Sequence, residues 1–264
     1  MVIKITSNKN SQYKEWRKLH LRKYRNNSKL FIIEGIKSLK EAIAWKNDFH
    51  AIVYSNKIHT VTGGKEIFKY ISQIDVPLYE LDNELLSKLS DLENSQGIIG
   101  ILKQPSYKIN NLINNKKVSI IILEGIQDPG NLGTIIRTAD AAGIDGVILG
   151  KGCVDIYNSK VIRSTMGSIF HLPIIQELNL EDILVKLKER GFQIIGTDLN
   201  SHCFYNELTY SKKKGLIIGN ESNGISKNIL RLCSDVVKIP IKGHAQSLNA
   251  AVAAGILIYK MEGI

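Results

Sequence analysis

Residues 118–264 alternate short apolar runs with helix-like stretches, and this rhythm limits the possible fold more than any other feature of the chain. The runs are Val118–Leu123, Gly146–Leu149, Gln193–Gly196, Gly215–Ile218 and Val236–Ile239. They are rich in isoleucine and valine and lack the apolar–polar alternation of a sheet with one wet face. Strands buried on both faces read this way, and such strands belong to parallel sheets covered by helices. Helix-like segments at 132–142, 158–168, 181–190, 225–232 and 248–262 supply the cover. An α/β domain built on a parallel sheet is predicted.

The first half repeats the pattern on a smaller scale. Apolar segments at Leu30–Ile33, Ala51–Tyr54, Val76–Leu81 and Ile98–Leu102 are separated by helix-like stretches around 36–46, 64–73 and 83–91. A smaller α/β domain over 1–104 is expected. Segment 105–117 opens with Pro105 and is rich in asparagine, so it reads as a linker in which Leu112 and Ile113 can dock. With 264 residues the chain has room for both domains. No apolar run approaches the ~20 residues that span a bilayer. The start, Met1-Val-Ile-Lys-Ile-Thr, lacks the layout of a signal peptide. A cytoplasmic protein without membrane contact is therefore expected. Cys153, Cys203 and Cys233 form no CxxC pair, and the histidines lack ligand spacing, so free thiols and no metal site are expected.

The net charge is +10, and it is unevenly placed. Residues 1–30 hold nine Lys or Arg and one Glu. Lys14, Lys18 and Arg22 recur every four residues, Arg25 follows three further on, and Lys23 lies between. On one continuous helix the first four form a basic stripe. Tyr13 and Trp16 lie close by, placed either to stack on bases or to pack inward. A basic face at one end points to a polyanion, with nucleic acid favoured over membrane.

Three polar loops follow three of the later strands, and ligands of open parallel sheets bind beyond the carboxyl ends of the strands. In the first, Pro129-Gly130 makes a turn, Asn131 is placed to cap a helix, and Arg137 lies further along it. A guanidinium there is either a surface charge or a fork for phosphate. The second, Gly219-Asn-Glu-Ser-Asn-Gly224, holds Glu221 beyond a buried strand. The third runs from Pro240 to Ser247-Leu-Asn249 and opens onto Ala250, Ala251, Ala253, Ala254 and Gly255, a helix almost free of side-chain bulk. Ser247 and Asn249 there suit either an N-cap or a ligand. The chain carries neither a GxGxxG fingerprint nor a Walker A loop.

Taken in order, these loops resemble the SpoU/TrmH branch of the SPOUT methyltransferases over residues 118–264. Asn131, Gly133, Arg137 and Thr138 fit the first family motif. Gly219-Asn-Glu221 with Gly224 fits the second, and Ile239-Pro240 followed by Ser247-Leu-Asn249 fits the third. Arg163-Ser-Thr-Met-Gly167 and Phe170-His-Leu-Pro173 are similar to the intervening segment. The first half resembles the ribosomal-protein-like RNA substrate-binding domain that often precedes this catalytic domain. Asn8, Lys18-Leu19, Lys23-Tyr-Arg25 and Phe31-Ile-Ile-Glu-Gly35 match its opening, and Gln96-Gly97-Ile98-Ile99-Gly100 matches its end.

The resemblance implies a parallel sheet with a deep C-terminal trefoil knot, a homodimer, and methyl transfer from S-adenosylmethionine to a ribose 2′-hydroxyl of RNA. Ribosomal RNA is favoured over transfer RNA by the type of the first domain. The alternatives are a tRNA 2′-O-methyltransferase and a non-catalytic RNA-binding assembly factor. The resemblance further implies that the cofactor is held largely by backbone at Thr197, Gly219 with Asn220, Ile239, and Leu248 with Asn249. Arg137, Asn131, Glu221, Ser247 and Asn249 are the implied catalytic group. Lys14, Lys18, Arg22, Lys23 and Arg25 are the candidate RNA contacts.

Overall fold

Trp16, Ile32, Val53, Ile99 and Ile101 lie at the centre of the first of two units. The computed structural model describes residues 2–176 and 179–264. One unit holds the chain up to Pro105 together with Tyr157–Arg163, and the other holds Ser106–Ile156 and Ser164–Ile264.

The first unit runs β1 (Val2–Ile5), α1 (Ser11–Lys18), α2 (Arg22–Ser28), β2 (Leu30–Glu34), α3 (Ile36–Ala44), β3 (Phe49–Tyr54), α4 (Gly64–Ile71), β4 (Leu78–Leu81), α5 (Asn83–Leu89) and β5 (Ile98–Lys103). Its sheet has the order β1-β4-β3-β5-β2. β1, β4 and β3 pair in parallel, whereas β5 runs antiparallel to both β3 and β2. The Tyr157 ring, from the late segment assigned to this unit, lies 4.6 Å from the Phe31 ring.

The basic stripe does not form. α1 ends at Lys18, and the chain turns through Leu19–Leu21 before α2 begins. Buried Leu19 anchors this turn. Arg25 is 5% exposed, and its Nη1 donates to the Leu19 carbonyl at 2.6 Å. It satisfies the carbonyl left open at the end of α1 and is withdrawn from any RNA surface. Tyr13 and Trp16 pack inward, with the Tyr13 hydroxyl donating to the Leu85 carbonyl at 3.1 Å.

The chain continues with α6 (Ile109–Ile113), β6 (Val118–Leu123), α7 (Pro129–Ala141), β7 (Gly146–Leu149), α8 (Ser159–Thr165), β8 (Ile174–Gln176), α9 (Leu180–Glu189), β9 (Gln193–Thr197), β10 (Cys203–Phe204), β11 (Lys213–Ile218), α10 (Lys227–Leu232), β12 (Asp235–Lys238) and α11 (Ala250–Glu262); all but the part of α8 up to Arg163 belong to the second unit. Among the described residues the sheet of the second unit has the order β10-β12-β9-β11-β6-β7-β8, and every pairing is parallel. All six residues of β6 are buried, as the unbroken apolar run demands. The expected linker contributes α6, and Leu112 and Ile113 join the core around Ile120, Ile122 and Ile194.

Candidate active site

β9, β11 and β12 are neighbours in the sheet, so the loops beyond their carboxyl ends lie side by side. They enclose a cavity of about 560 Å³, within the range of ~300–1,000 Å³ usual for small-molecule sites. Thr197, Gly219, Ile239 and Leu248 line it, with Ala253 and Leu257 of α11 on one side. The Thr197 hydroxyl donates to the Ile217 carbonyl at 3.2 Å, which turns its polar end into the sheet. At Gly219 an added Cβ would lie 2.2 Å from the Gly224 carbonyl carbon. No side chain fits there, and the strand end meets its own loop backbone to backbone. Asn220 borders the cavity, but its side chain is occupied by its own loop and by the loop beyond β6. Its Nδ2 donates to the Gly125 carbonyl at 2.8 Å, and its Oδ1 accepts from the Ser222 and Asn223 N–H groups.

One line of side chains joins the three loops. Asn249 caps α11, its Oδ1 accepting from the N–H groups of Ala251 at 2.9 Å and Val252 at 3.2 Å. Its Nδ2 donates to Asn131 Oδ1 at 2.9 Å. Asn131 Nδ2 in turn donates to Glu221 Oε1 at 3.0 Å. The Glu221 carboxylate also accepts from the N–H groups of Gln127 and Asp128, each at 3.2 Å. Burial pushes the Glu221 carboxyl up. Donation from Asn131 and from backbone N–H groups, including those of Asp128 and Gln127, outweighs that effect and holds it below the ordinary glutamate value.

Asn131 is not the cap of α7. Pro129 occupies the first turn, where its missing N–H costs nothing, and Asp128 is the N-cap, accepting from the Asn131 N–H at 2.7 Å. The Asp-Pro pair carried that signal in the sequence. Asn131 is thereby left free to use its side chain across loops. Arg137 stands on the exposed row of α7, and its side chain makes no hydrogen bond or ion pair among the described residues. Gly255 needs no special closeness, because an added Cβ would lie 3.8 Å from Thr138 Cγ2, an ordinary contact.

Of the implied cofactor residues, Thr197, Gly219, Asn220, Ile239 and Leu248 border the cavity, whereas Asn249 serves the helix cap and the Asn131 bond instead. Of the implied catalytic residues, Glu221 and Ser247 border it; Asn131 and Arg137 do not. Asp198, Asn200 and Lys227 also line it and carried no motif that marked them. Lys14, Arg22 and Lys23 are exposed, while Lys18 is held by Glu15 at 2.6 Å. Among the described residues there is no cluster suited to a metal ion and no helix long and apolar enough to cross a membrane.

Residues 119–259 match the SpoU rRNA Methylase family, and residues 10–100 match the MRM3-like substrate binding domain. The chain is 36% identical over 259 residues to the Bacillus subtilis 23S rRNA (guanosine(2553)-2'-O)-methyltransferase RlmP, covering 98% of this chain and 99% of that one. Its fold superposes on an AdoMet-bound rRNA methyltransferase from Sinorhizobium meliloti with TM-score 0.88 and 30% identity, over 99% of this chain and 98% of that one. The SpoU methyltransferase AviRb from Streptomyces viridochromogenes shares the fold at TM-score 0.88 and 24% identity, over 97% and 98% of the two chains. The chain belongs to the SpoU rRNA methylase family.

Proposed function

We propose that this chain transfers a methyl group from S-adenosylmethionine to a ribose 2′-hydroxyl of ribosomal RNA. The observation that carries the reading is the Asn249–Asn131–Glu221 line, which ties all three motif loops together beside a cavity of about 560 Å³. The cavity fits the cofactor in kind. Its apolar walls at Ile239, Leu248 and Leu257 suit an adenine ring, and the backbone-to-backbone seam at Gly219 suits recognition by main chain. Thr197, Gly219, Ile239 and Leu248 would hold it. When bound, S-adenosylmethionine supplies a methyl group on a positively charged sulfur, which the ribose 2′-oxygen takes as that carbon–sulfur bond breaks.

The chain's own share is positioning, which can lower a barrier by several kcal/mol. Arg137, unpaired and exposed, grips the phosphate beside the reacting ribose and stabilises charge developing on the 2′-oxygen. Glu221 is a positioning residue. A carboxylate that already accepts several hydrogen bonds and has a lowered pKa is a poor proton acceptor, so the hydroxyl proton passes to water or an RNA phosphate. Asn131 and Asn249 fix the loops, and Ser247 lies at the cavity rim to orient the ribose. The knotted path of the closing segment brings that loop against the one beyond β11. The first unit receives the RNA through Lys14, Arg22 and Lys23, and the protein works as a homodimer.

The test is methylation of ribosomal RNA by the purified protein, with 2′-O-methyl sites mapped in RNA from cells with and without the gene. Arg137→Ala is expected to lose transfer by at least about a hundredfold, as when a transition-state donor is removed, while calorimetry still detects S-adenosylmethionine binding. Full-rate transfer by that variant overturns the role of Arg137. A site map unchanged by loss of the gene overturns the function.

A further inference from the structure

Three basic runs that are far apart in the sequence meet at one end of the second unit's sheet. Lys116 and Lys117 lead into β6, Arg190 precedes β9, Lys212 precedes β11 and Lys213 begins it. β9, β11 and β6 are adjacent and parallel, so all three runs lie at their amino ends. Lys213 pairs with Val118, and the Val118 N–H donates to the Lys212 carbonyl at 3.0 Å, which sets Lys212 beside Lys117. Lys213 Nζ donates to the carbonyls of Ile113 and Arg190, at 3.5 and 3.2 Å, and Arg190 Nη1 donates to Asn114 Oδ1 at 3.4 Å. These contacts draw the runs into one patch. Lys116, Lys117, Arg190 and Lys212 are exposed, and among the described residues none has an acid partner. The acids nearby are engaged elsewhere or stand apart. Asp145 accepts from the Ser119 N–H at 2.7 Å, Asp235 accepts from Gln193 Nε2 at 2.8 Å, and Glu262 pairs with Lys214. Exposed Glu189 forms no ion pair with the patch. Lysines of the first unit differ: Lys4, Lys88 and Lys103 meet Glu80, Glu84 and Asp48.

We propose that this patch grips the phosphate backbone of a double-helical arm of the RNA substrate, away from the stretch that enters the active site. Like charges on adjacent strands repel one another, and nothing in the fold offsets them here; a polyanion does. Clustered cations of this kind are the electrostatic footprint of a nucleic acid. None of the five residues is aromatic, and Phe192, whose ring centre lies 5.7 Å from Lys213 Nζ, is buried. The patch therefore gives an unpaired base no ring to stack on. It offers ammonium and guanidinium groups, which hold phosphates and fix position without reading sequence. β11 runs six residues, from Lys213 to Ile218, so the patch lies roughly 20 Å from the cavity at Gly219. At that distance it cannot touch the reacting ribose. Its part is to hold a neighbouring arm, so that the target stretch binds as the second contact of a tethered molecule. The proposal rests on the reading of the chain as an RNA methyltransferase and adds a second place where the substrate is held.

The experiment compares the full-length protein carrying Lys116→Ala, Lys117→Ala and Lys212→Ala with wild type. Ribosomal RNA from cells lacking the gene is the substrate, and a short RNA duplex of unrelated sequence is the binding probe. The triple variant is expected to raise KM for the ribosomal RNA and Kd for the duplex at least about tenfold. Its plot of log Kd against log salt is expected to flatten by about 2 to 3, roughly one for each lost phosphate contact. At saturating RNA, kcat is expected to stay at the wild-type value, and so is S-adenosylmethionine affinity by calorimetry. Arginine at the same three positions is expected to restore KM, Kd and the salt slope. Alanine at Lys4, Lys88 and Lys103 removes the same charge from lysines that already face acids, and is expected to have a much smaller effect. An unchanged salt slope, or an equal effect of that control, would overturn the patch. Unchanged RNA binding with weakened attachment to phosphatidylserine vesicles would assign it to a membrane surface and overturn it too. If wild type still methylates ribosomal RNA in those cases, only the patch falls. If wild type methylates no RNA, the functional reading falls as well.

Discussion

Asn249 does two jobs with the two ends of one amide, and they can be separated. The oxygen caps α11, and the nitrogen holds Asn131. Asn249→Asp keeps the capping oxygen and removes the donor, placing a negative charge beside the Asn131 oxygen. It is expected to melt within a few degrees of wild type yet lose methyl transfer. Asn249→Ala loses both functions and is expected to cost about 1 kcal/mol in addition, the usual value of a lost cap. Equal activity of Asn249→Asp and wild type would show the cap to be its whole role. Glu221 gives a pH signature. Its pKa in the folded chain lies below the ordinary value of 4.5, so its contribution is complete above that value and fades only as pH falls through the lowered one. The melting-temperature gap between wild type and Glu221→Gln is therefore expected to stay constant from neutral pH down to about 4.5 and to close below it. A gap that closes between pH 7 and 5 would mean that Glu221 is not held by these donors.

At the scale of elements, legibility followed burial. β6, β7, β9 and β11 are buried along most of their length, so an unbroken apolar run was enough to reveal them. β8 and β10 sit at the two edges of the sheet with three and two residues, too short to leave a pattern. The α1–α2 break was hidden because the four-residue spacing of basic side chains runs straight across it. What stops the helix is a turn anchored by Leu19 and tied by Arg25, a contact that spacing cannot carry. The three loops of the site could be read from their motifs, but their hydrogen-bonded line spans more than ninety residues of sequence and became visible only in three dimensions. The far end of α11 has an anchor of the same hidden kind. Glu262 pairs with Lys214 of β11 at 3.2 Å, with side chains only 9% and 6% exposed. Glu262→Gln leaves the lysine charge buried and unmatched, and is expected to destabilise the protein by about 3 kcal/mol. Because α11 also forms a wall of the cavity, S-adenosylmethionine affinity is expected to fall with it. Chemical denaturation and calorimetry measure the two effects, and an unchanged denaturation midpoint would sink the anchoring role.

For the whole molecule, the open matter is what covers the outer face of α11. Inward, the helix presents Ala251, Ala254, Leu257 and Ile258 to the core and Ala253 to the cavity. Outward, Val252 is 52% exposed, and Tyr259, seven residues on and so on the same side of the helix, is 39% exposed. α7, which packs beside α11, exposes Thr134, Arg137 and Ala141. An apolar strip next to the unpaired arginine proposed for catalysis is costly to leave in water, and a second copy of the chain meeting it there would bury the strip and enclose Arg137 together. Val252→Arg places a charge in the middle of that strip while its backbone N–H still bonds to Asn249. Light scattering is expected to give wild type a mass twice 29.5 kDa and to shift Val252→Arg toward the single-chain mass. Methyl transfer is expected to fall in parallel, and high enzyme concentration should restore part of both. If wild type already runs as a single chain and is active, Arg137 works without a partner and the strip has another use. If Val252→Arg remains a dimer at full activity, the interface lies on a different face.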